Sequence, residues 1–136
     1  MTDAILSAVT DCLAQAGLPV PAESAHLRIY STVITQFAEG EKEFEAGNNA
    51  GRFEQEVREI ASLLEIAPPH SLVILNETFQ TTAYDEGAEG IYHILRYLSK
   101  CGISYIIATH MHQLRDKLGS DVVSYHVTPA HELERE

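Results

Sequence analysis

The chain of 136 residues predicts an α/β fold with a mostly parallel sheet and flanking helices. Three observations carry that expectation. Helical periodicities and short apolar runs alternate in the order helix, strand, helix, strand, helix, strand, helix, strand. The runs "SLVIL" and "ISYIIAT" read as buried strands, the second as one covered on both faces, which is the pattern of a parallel sheet. Hydrophobic residues make up 45% of the chain, enough for a core.

The elements follow in order. Ala4, Ile5, Ala8, Val9, Cys12, Leu13 and Ala16 recur at helical spacing and predict a well-buried first helix with a broad apolar face. Gly17 supplies its stop, and Pro19 and Pro21 prevent resumption. "HLRIYSTVITQF" is rich in β-branched and aromatic residues and reads as extended. Residues 38–51, "AEGEKEFEAGNNAG", are acidic and hold three glycines, so they predict a mobile surface loop. Phe53, Val57, Ile60 and Leu64 mark a helix from Phe53 to Glu65, which Pro68-Pro69 ends. A strand runs from Ser71 to Leu75. After a polar turn, Ala88, Ile91, Ile94, Leu95 and Leu98 form an amphipathic helix that Gly102 closes. The strand Ile103–Thr109, a short helix "MHQLRDKLG" and a last strand "VVSYHV" complete the order. Residues 128–136 are charged and predict a frayed tail. Residues 1–136 form a single domain or part of one, without internal repeat or low-complexity tract.

Bulk properties exclude some functions. The formal net charge is -11, with nine basic residues against twenty acids. Affinity for nucleic acid comes mainly from Lys and Arg, so direct DNA or RNA binding by this segment is not expected. No apolar run approaches the ~20 residues of a membrane span. The N-terminus lacks a basic region and carries Asp3 and Asp11, unlike a secretory signal. Cys12 and Cys101 lie in apolar helical patterns and predict reduced core thiols in a cytoplasmic protein.

Chemistry is expected at the carboxyl ends of the strands, where open α/β sheets bind ligands. One strand ends in Asn76-Glu77 and the next in Thr109-His110. If those strands are neighbours, Glu77 and His110 share a rim. Glu77 can then accept a proton from an attacking water while His110 hydrogen-bonds a phosphate oxygen, the positioning a nucleotide hydrolase needs. The competing reading is structural: Asn, Glu, Thr and His all serve as polar strand exits, and Thr81 or Thr82 merely caps the next helix. His110 and His112 point apart on a helix, and no cysteine pattern supports zinc.

The stretches "SLVILNE", "TTAYDEG" and "IIATHMHQL" together resemble the ATPase domain of the DNA mismatch repair protein MutS family, within the ABC ATPase superfamily. In that family an apolar strand ends in Asp-Glu, the Walker B motif, a Thr/Ser-rich turn leads into a helix, and a later strand ends in "ATH". "LAQAGLPVPAESAHLRIYSTVITQF" resembles the stretch after the phosphate-binding loop, and "GRFEQEVREIASLL" the signature-region helix. The likeness reaches to about Val127 and implies an ABC-type P-loop NTPase fold. It implies Glu77 as general base and His110 as the switch histidine on the γ-phosphate. It places Thr81 and Thr82 in a D-loop at a homodimer interface. Gly51, Arg52 and Phe53 fall in the signature segment, which reaches the nucleotide of the opposite subunit. It implies ATP and Mg²⁺, with the ion near Asn76 and Glu77, and DNA contacted through other domains of a longer protein.

Departures from the family pattern are equally specific. Asn76 stands where the family carries Asp, and an uncharged amide is a poor partner for Mg²⁺, so weak, water-mediated metal binding is expected. Gly51 replaces the signature serine of many relatives. No G-x-x-x-x-G-K-[ST] motif occurs in the chain. By register that loop and the first strand fall before Met1. The resemblance therefore implies a C-terminal portion of the ATPase domain that binds ATP weakly or not at all by itself. Two rivals stay open: a non-catalytic dimerisation or interaction module on the same fold, and a small hydrolase or metal enzyme using Glu77 and His110.

Overall fold

The structure, a computed structural model, describes residues 2–21, 23–37, 49–79, 84–127 and 133–135. Its elements are α1 (Thr2–Gln15), β1 (Val33–Phe37), α2 (Asn49–Ile66), β2 (Leu72–Asn76), α3 (Tyr84–Lys100), β3 (Ser104–Ala108), α4 (His112–Leu118), β4 (Tyr125–Val127) and β5 (Leu133–Arg135). A 3-10 turn, Gly119–Asp121, follows α4. The three strands β1, β2 and β3 lie side by side in that order and all pair in parallel. The molecule is thus a mixed α/β fold with a three-stranded parallel sheet and flanking helices.

β2 anchors the sheet. Leu72, Val73, Ile74 and Leu75 are each no more than 3% exposed, so both faces of the strand are covered. Alternation sends Val73 and Leu75 to one face, where they meet Ile34, Ile60 and the α3 residues Ile91, Leu95 and Leu98 in the main core. Leu72 and Ile74 point to the other face, against Tyr30, Val33 and Ile106. Each such aliphatic contributes about 1.5–3 kcal/mol when fully buried. The carboxyl end of β2 is therefore held by a rigid strand.

The helix ends carry their sequence signals. α3 opens with Asp85 and Glu86 and closes with Lys100, each complementing the helix dipole. At the turn into β3, Ile103 N–H donates to Leu98 O at 3.0 Å while Gly102 adopts a φ of 68°. Gly17, the expected stop of α1, likewise has a φ of 75°.

Several expectations are corrected. α1 is not well buried over its described side chains: Val9 is 42% exposed and Cys12 is exposed. Cys12 is therefore no core thiol, whereas Cys101 is partly buried against the main core. On α2, Val57 is 41% exposed and Glu56 only 7%, so the charged residue, not the valine, occupies the buried stripe. α2 begins at Asn49, inside the segment expected as loop, and residues 38–48 of that loop lie outside the described residues. Among the described residues β3 ends the sheet order with β2 as its one paired neighbour, and it is partly exposed along its length. The last expected strand contributes only Tyr125–Val127. It pairs antiparallel with Leu133–Arg135, from the tail expected to fray, and does not extend the parallel sheet. Among the described residues, no helix is long and apolar enough to cross a membrane.

Candidate functional site

The parallel register of β2 and β3 places Asn76 beside Ala108, so both strands end at one rim. The ladder continues one step further, with Glu77 N–H donating to Ala108 O at 2.9 Å. Two residues past Ala108 the chain reaches His110. Its Nδ1 lies 2.9 Å from Glu77 Oε2, at an accessible edge where the side chains are 53% and 23% exposed respectively. The conditional expectation about neighbouring strands is met in its geometry. A carboxylate paired with an imidazole at a strand rim can take a proton from water and offer a hydrogen bond to an anion.

The turn carrying Glu77 is strained and tightly held. Glu77 has a φ of 53° and Phe79 a φ of 62°, both in the left-handed region that side chains avoid. Such a residue costs about 1–3 kcal/mol and persists only where surrounding contacts enforce it. Those contacts come from several elements. Thr78 Oγ1 donates to Gln36 Oε1 of β1 at 2.6 Å, with both residues buried. Phe79 N–H donates to Glu56 Oε2 of α2 at 2.8 Å. The Phe79 ring is 1% exposed and its centroid lies 5.1 Å from that of Phe53 on α2.

α3 yields space for this turn. A Cβ at Gly90 would sit 3.3 Å from Phe79 Cε2. One at Gly87 would meet Met111 Cε at 3.0 Å and Phe79 O at 3.3 Å. The two glycines, one helical turn apart, let the helix approach the Phe79 backbone and ring.

Asn76 ends β2 with its Oδ1 buried and without a hydrogen-bond partner among the described residues. A buried acceptor is unfavourable unless a donor meets it, and water or a hydrated ion can supply one. Of the other expected site residues, Thr81 and Thr82 lie outside the described residues. Gly51 and Arg52 occupy the start of α2, the helix that also bears Phe53 and Glu56.

Gln36, Glu56, Thr78 and Phe79 are the site residues that sequence reasoning did not single out. For Glu56 a signal existed. It falls three residues after Phe53 and four before Ile60, on the same helical stripe. The helical period accommodates Glu56 or Val57 on that stripe, and apolarity favours the valine. The hydrogen bond to Phe79 N–H, 23 residues away in sequence, decides for Glu56.

Comparison with known proteins gives a consistent result. Residues 5–135 match the family MutS domain V. The chain is 31% identical over 116 residues to a mitochondrial DNA mismatch repair protein mutS homolog from Sarcophyton glaucum, covering 85% of this chain and 12% of that protein. It is 35% identical over 103 residues to the DNA mismatch repair protein MutS of Granulibacter bethesdensis, covering 75% of this chain and 11% of that protein. With MutS of Methanosarcina mazei it shares 32% identity over 136 residues, covering 93% of this chain and 15% of that protein. The chain thus spans a small part of the length of each relative.

Proposed function

Because the chain belongs to the MutS domain V family, we propose that it acts in DNA mismatch repair, as part of an ATP-hydrolysing unit whose cycle drives DNA engagement by other domains. The relatives named above, all DNA mismatch repair proteins, support the repair role. One observation within the chain supports the hydrolytic role above the others: Glu77 Oε2 and His110 Nδ1 meet at 2.9 Å on a rim shared by neighbouring parallel strands.

In this reading Glu77 is the general base that orients and deprotonates the attacking water, and His110 contacts the γ-phosphate. Thr81 and Thr82 act at a homodimer interface, and Gly51 and Arg52 approach the nucleotide of the partner subunit. The residues at the rim fit a hydrated Mg²⁺. Asn76 Oδ1 is a buried oxygen acceptor with no partner among the described residues, and a carboxylate follows it in sequence. Mg²⁺ prefers oxygen ligands and retains several waters, so Asn76 would hold it through water, weakly, beside Glu77. When bound, the ion neutralises charge on the phosphates. DNA is met by other parts of the protein, since this chain carries a net charge of -11.

The test is steady-state ATP hydrolysis by the protein in its full natural length and by its Glu77→Gln variant. Loss of general-base catalysis predicts a fall of about 10²-fold or more. Equal rates would sink the role given to Glu77. Asn76, in place of an acid, favours a second reading in which the same fold is a non-catalytic dimerisation module. That protein would self-associate and show no ATP hydrolysis that Glu77→Gln removes.

A further inference from the structure

We infer that Glu56 is a positioning residue for Glu77, and that through it α2 controls the alignment of the base. The inference rests on the hydrolytic reading above. Burying a carboxylate is costly unless it is hydrogen-bonded, and an apolar side chain packs such a stripe without that cost. Glu56 is nevertheless 7% exposed on the inner stripe of α2, between Phe53 and Ile60. Its Oε2 accepts the backbone N–H of Phe79, two residues beyond Glu77, in the strained turn.

That bond clasps the turn from outside the sheet. On the sheet side, Glu77 N–H is tied to Ala108 O and Thr78 Oγ1 to Gln36 Oε1. Glu56 and the Phe53 ring tie Phe79 to α2. Two consecutive ties therefore fix Glu77 from β3 and β1, and the third depends on where α2 sits. The start of the same helix carries Gly51 and Arg52. A shift of that end on meeting a nucleotide moves the Glu56 clasp with it, because a helix transmits displacement along its length. Glu77 is then aligned for catalysis only when α2 is seated.

The test uses the full-length protein with Glu56→Gln, Glu56→Asp and Glu56→Ala, and Glu77→Gln as the reference loss. The Gln side chain keeps an acceptor oxygen at the same reach. Asp keeps the charge but is one methylene too short. The expected order of kcat for ATP hydrolysis is unsubstituted, then Gln, with Asp and Ala lowest. Asp and Ala should fall by about 10–100-fold, the scale of a misplaced catalytic group, with KM for ATP within about twofold. Hydrogen exchange should accelerate at the Phe79 amide in Asp and Ala, stay near normal in Gln, and leave the amides of β2 protected. If Ala does not fold, the contrast between Gln and Asp decides.

Full activity in Asp and Ala, with Glu77→Gln inactive, overturns the inference alone. So does a Gln variant as impaired as Ala, or a change confined to KM. If the unsubstituted protein hydrolyses no ATP, or Glu77→Gln is as active, the hydrolytic reading falls and this inference with it.

Discussion

Phe79 and Asn76 show how single residues carry the cost of this site. Phe79 holds a φ of 62° while its ring is 1% exposed, so backbone strain and side-chain burial oppose each other. Truncating a buried Phe costs about 3–5 kcal/mol. Glycine tolerates the left-handed region, whereas other residues lose roughly 1–2 kcal/mol there. Phe79→Ala should therefore destabilise by about 3–5 kcal/mol, and Phe79→Gly by about 1 kcal/mol less, despite glycine's greater chain entropy. Chemical denaturation of the two variants checks the order. A Gly variant less stable than Ala would show that the turn is not strained. At Asn76 the Oδ1, without a hydrogen-bond partner among the described residues, lacks the charge that Mg²⁺ favours. On the proposed hydrolytic reading, Asn76→Asp should lower the Mg²⁺ concentration for half-maximal ATP hydrolysis by about threefold or more. An unchanged requirement would place the ion elsewhere. The identity of Asn76 and Glu77 as a strand end is legible in the sequence. The strain at Glu77 and Phe79 is not, because neither residue type signals a positive φ.

Elements meet around α3. Its buried stripe Ala88, Ile91, Leu95 and Leu98 matches the sequence periodicity, since each is at 0% exposure. Its glycines face the Phe79 turn, where Gly87 has backbone oxygen and a methionine methyl within 3.3 Å of an added Cβ. Gly87→Val should overpack this contact and cost about 2 kcal/mol, read as a lowered unfolding midpoint. An unchanged midpoint would mean that the turn yields. On the outer face of α3, Glu89 pairs with Lys117 of α4 and lies 3.2 Å from His93. The Lys117 hydrogen bond chiefly holds the Glu89 carboxyl below its ordinary value, with the charges of Lys117 and His93 assisting. A depressed carboxyl stabilises the fold above the unfolded-state value of about 4.3, and that stabilisation is lost as pH falls through the lower folded value. Glu89→Gln should flatten this acid limb by lowering stability slightly at neutral pH, with the two proteins converging at low pH. An acid limb identical in both proteins would remove Glu89 from the linkage.

The whole molecule joins an acidic composition to a small parallel sheet at whose strand ends Glu77 and His110 meet. Its net charge of -11 predicts that the chain by itself will not shift double-stranded DNA at micromolar concentration in about 0.15 M salt. A salt-sensitive shift would reveal a basic surface that the composition hides. Much of this scale was legible in advance. The alternation of helices and strands, the stripe of α3 and the glycine stops are local patterns, set by residues a few positions apart. The partly exposed β3 and the separate pairing of β4 with β5 were not legible, because an apolar run does not state how its strand will be covered or paired. By itself the sequence determined the fold class, the family likeness and the residues at each strand end, since these depend on covalent order and short-range period. Only the tertiary structure decided that Glu77 and His110, 33 residues apart, stand 2.9 Å from each other. It also decided that Glu56 is buried where Val57 was expected, to hold the turn beside Glu77. Both outcomes arise from long-range hydrogen bonds, whose partners become neighbours only once the strands pair and α2 packs.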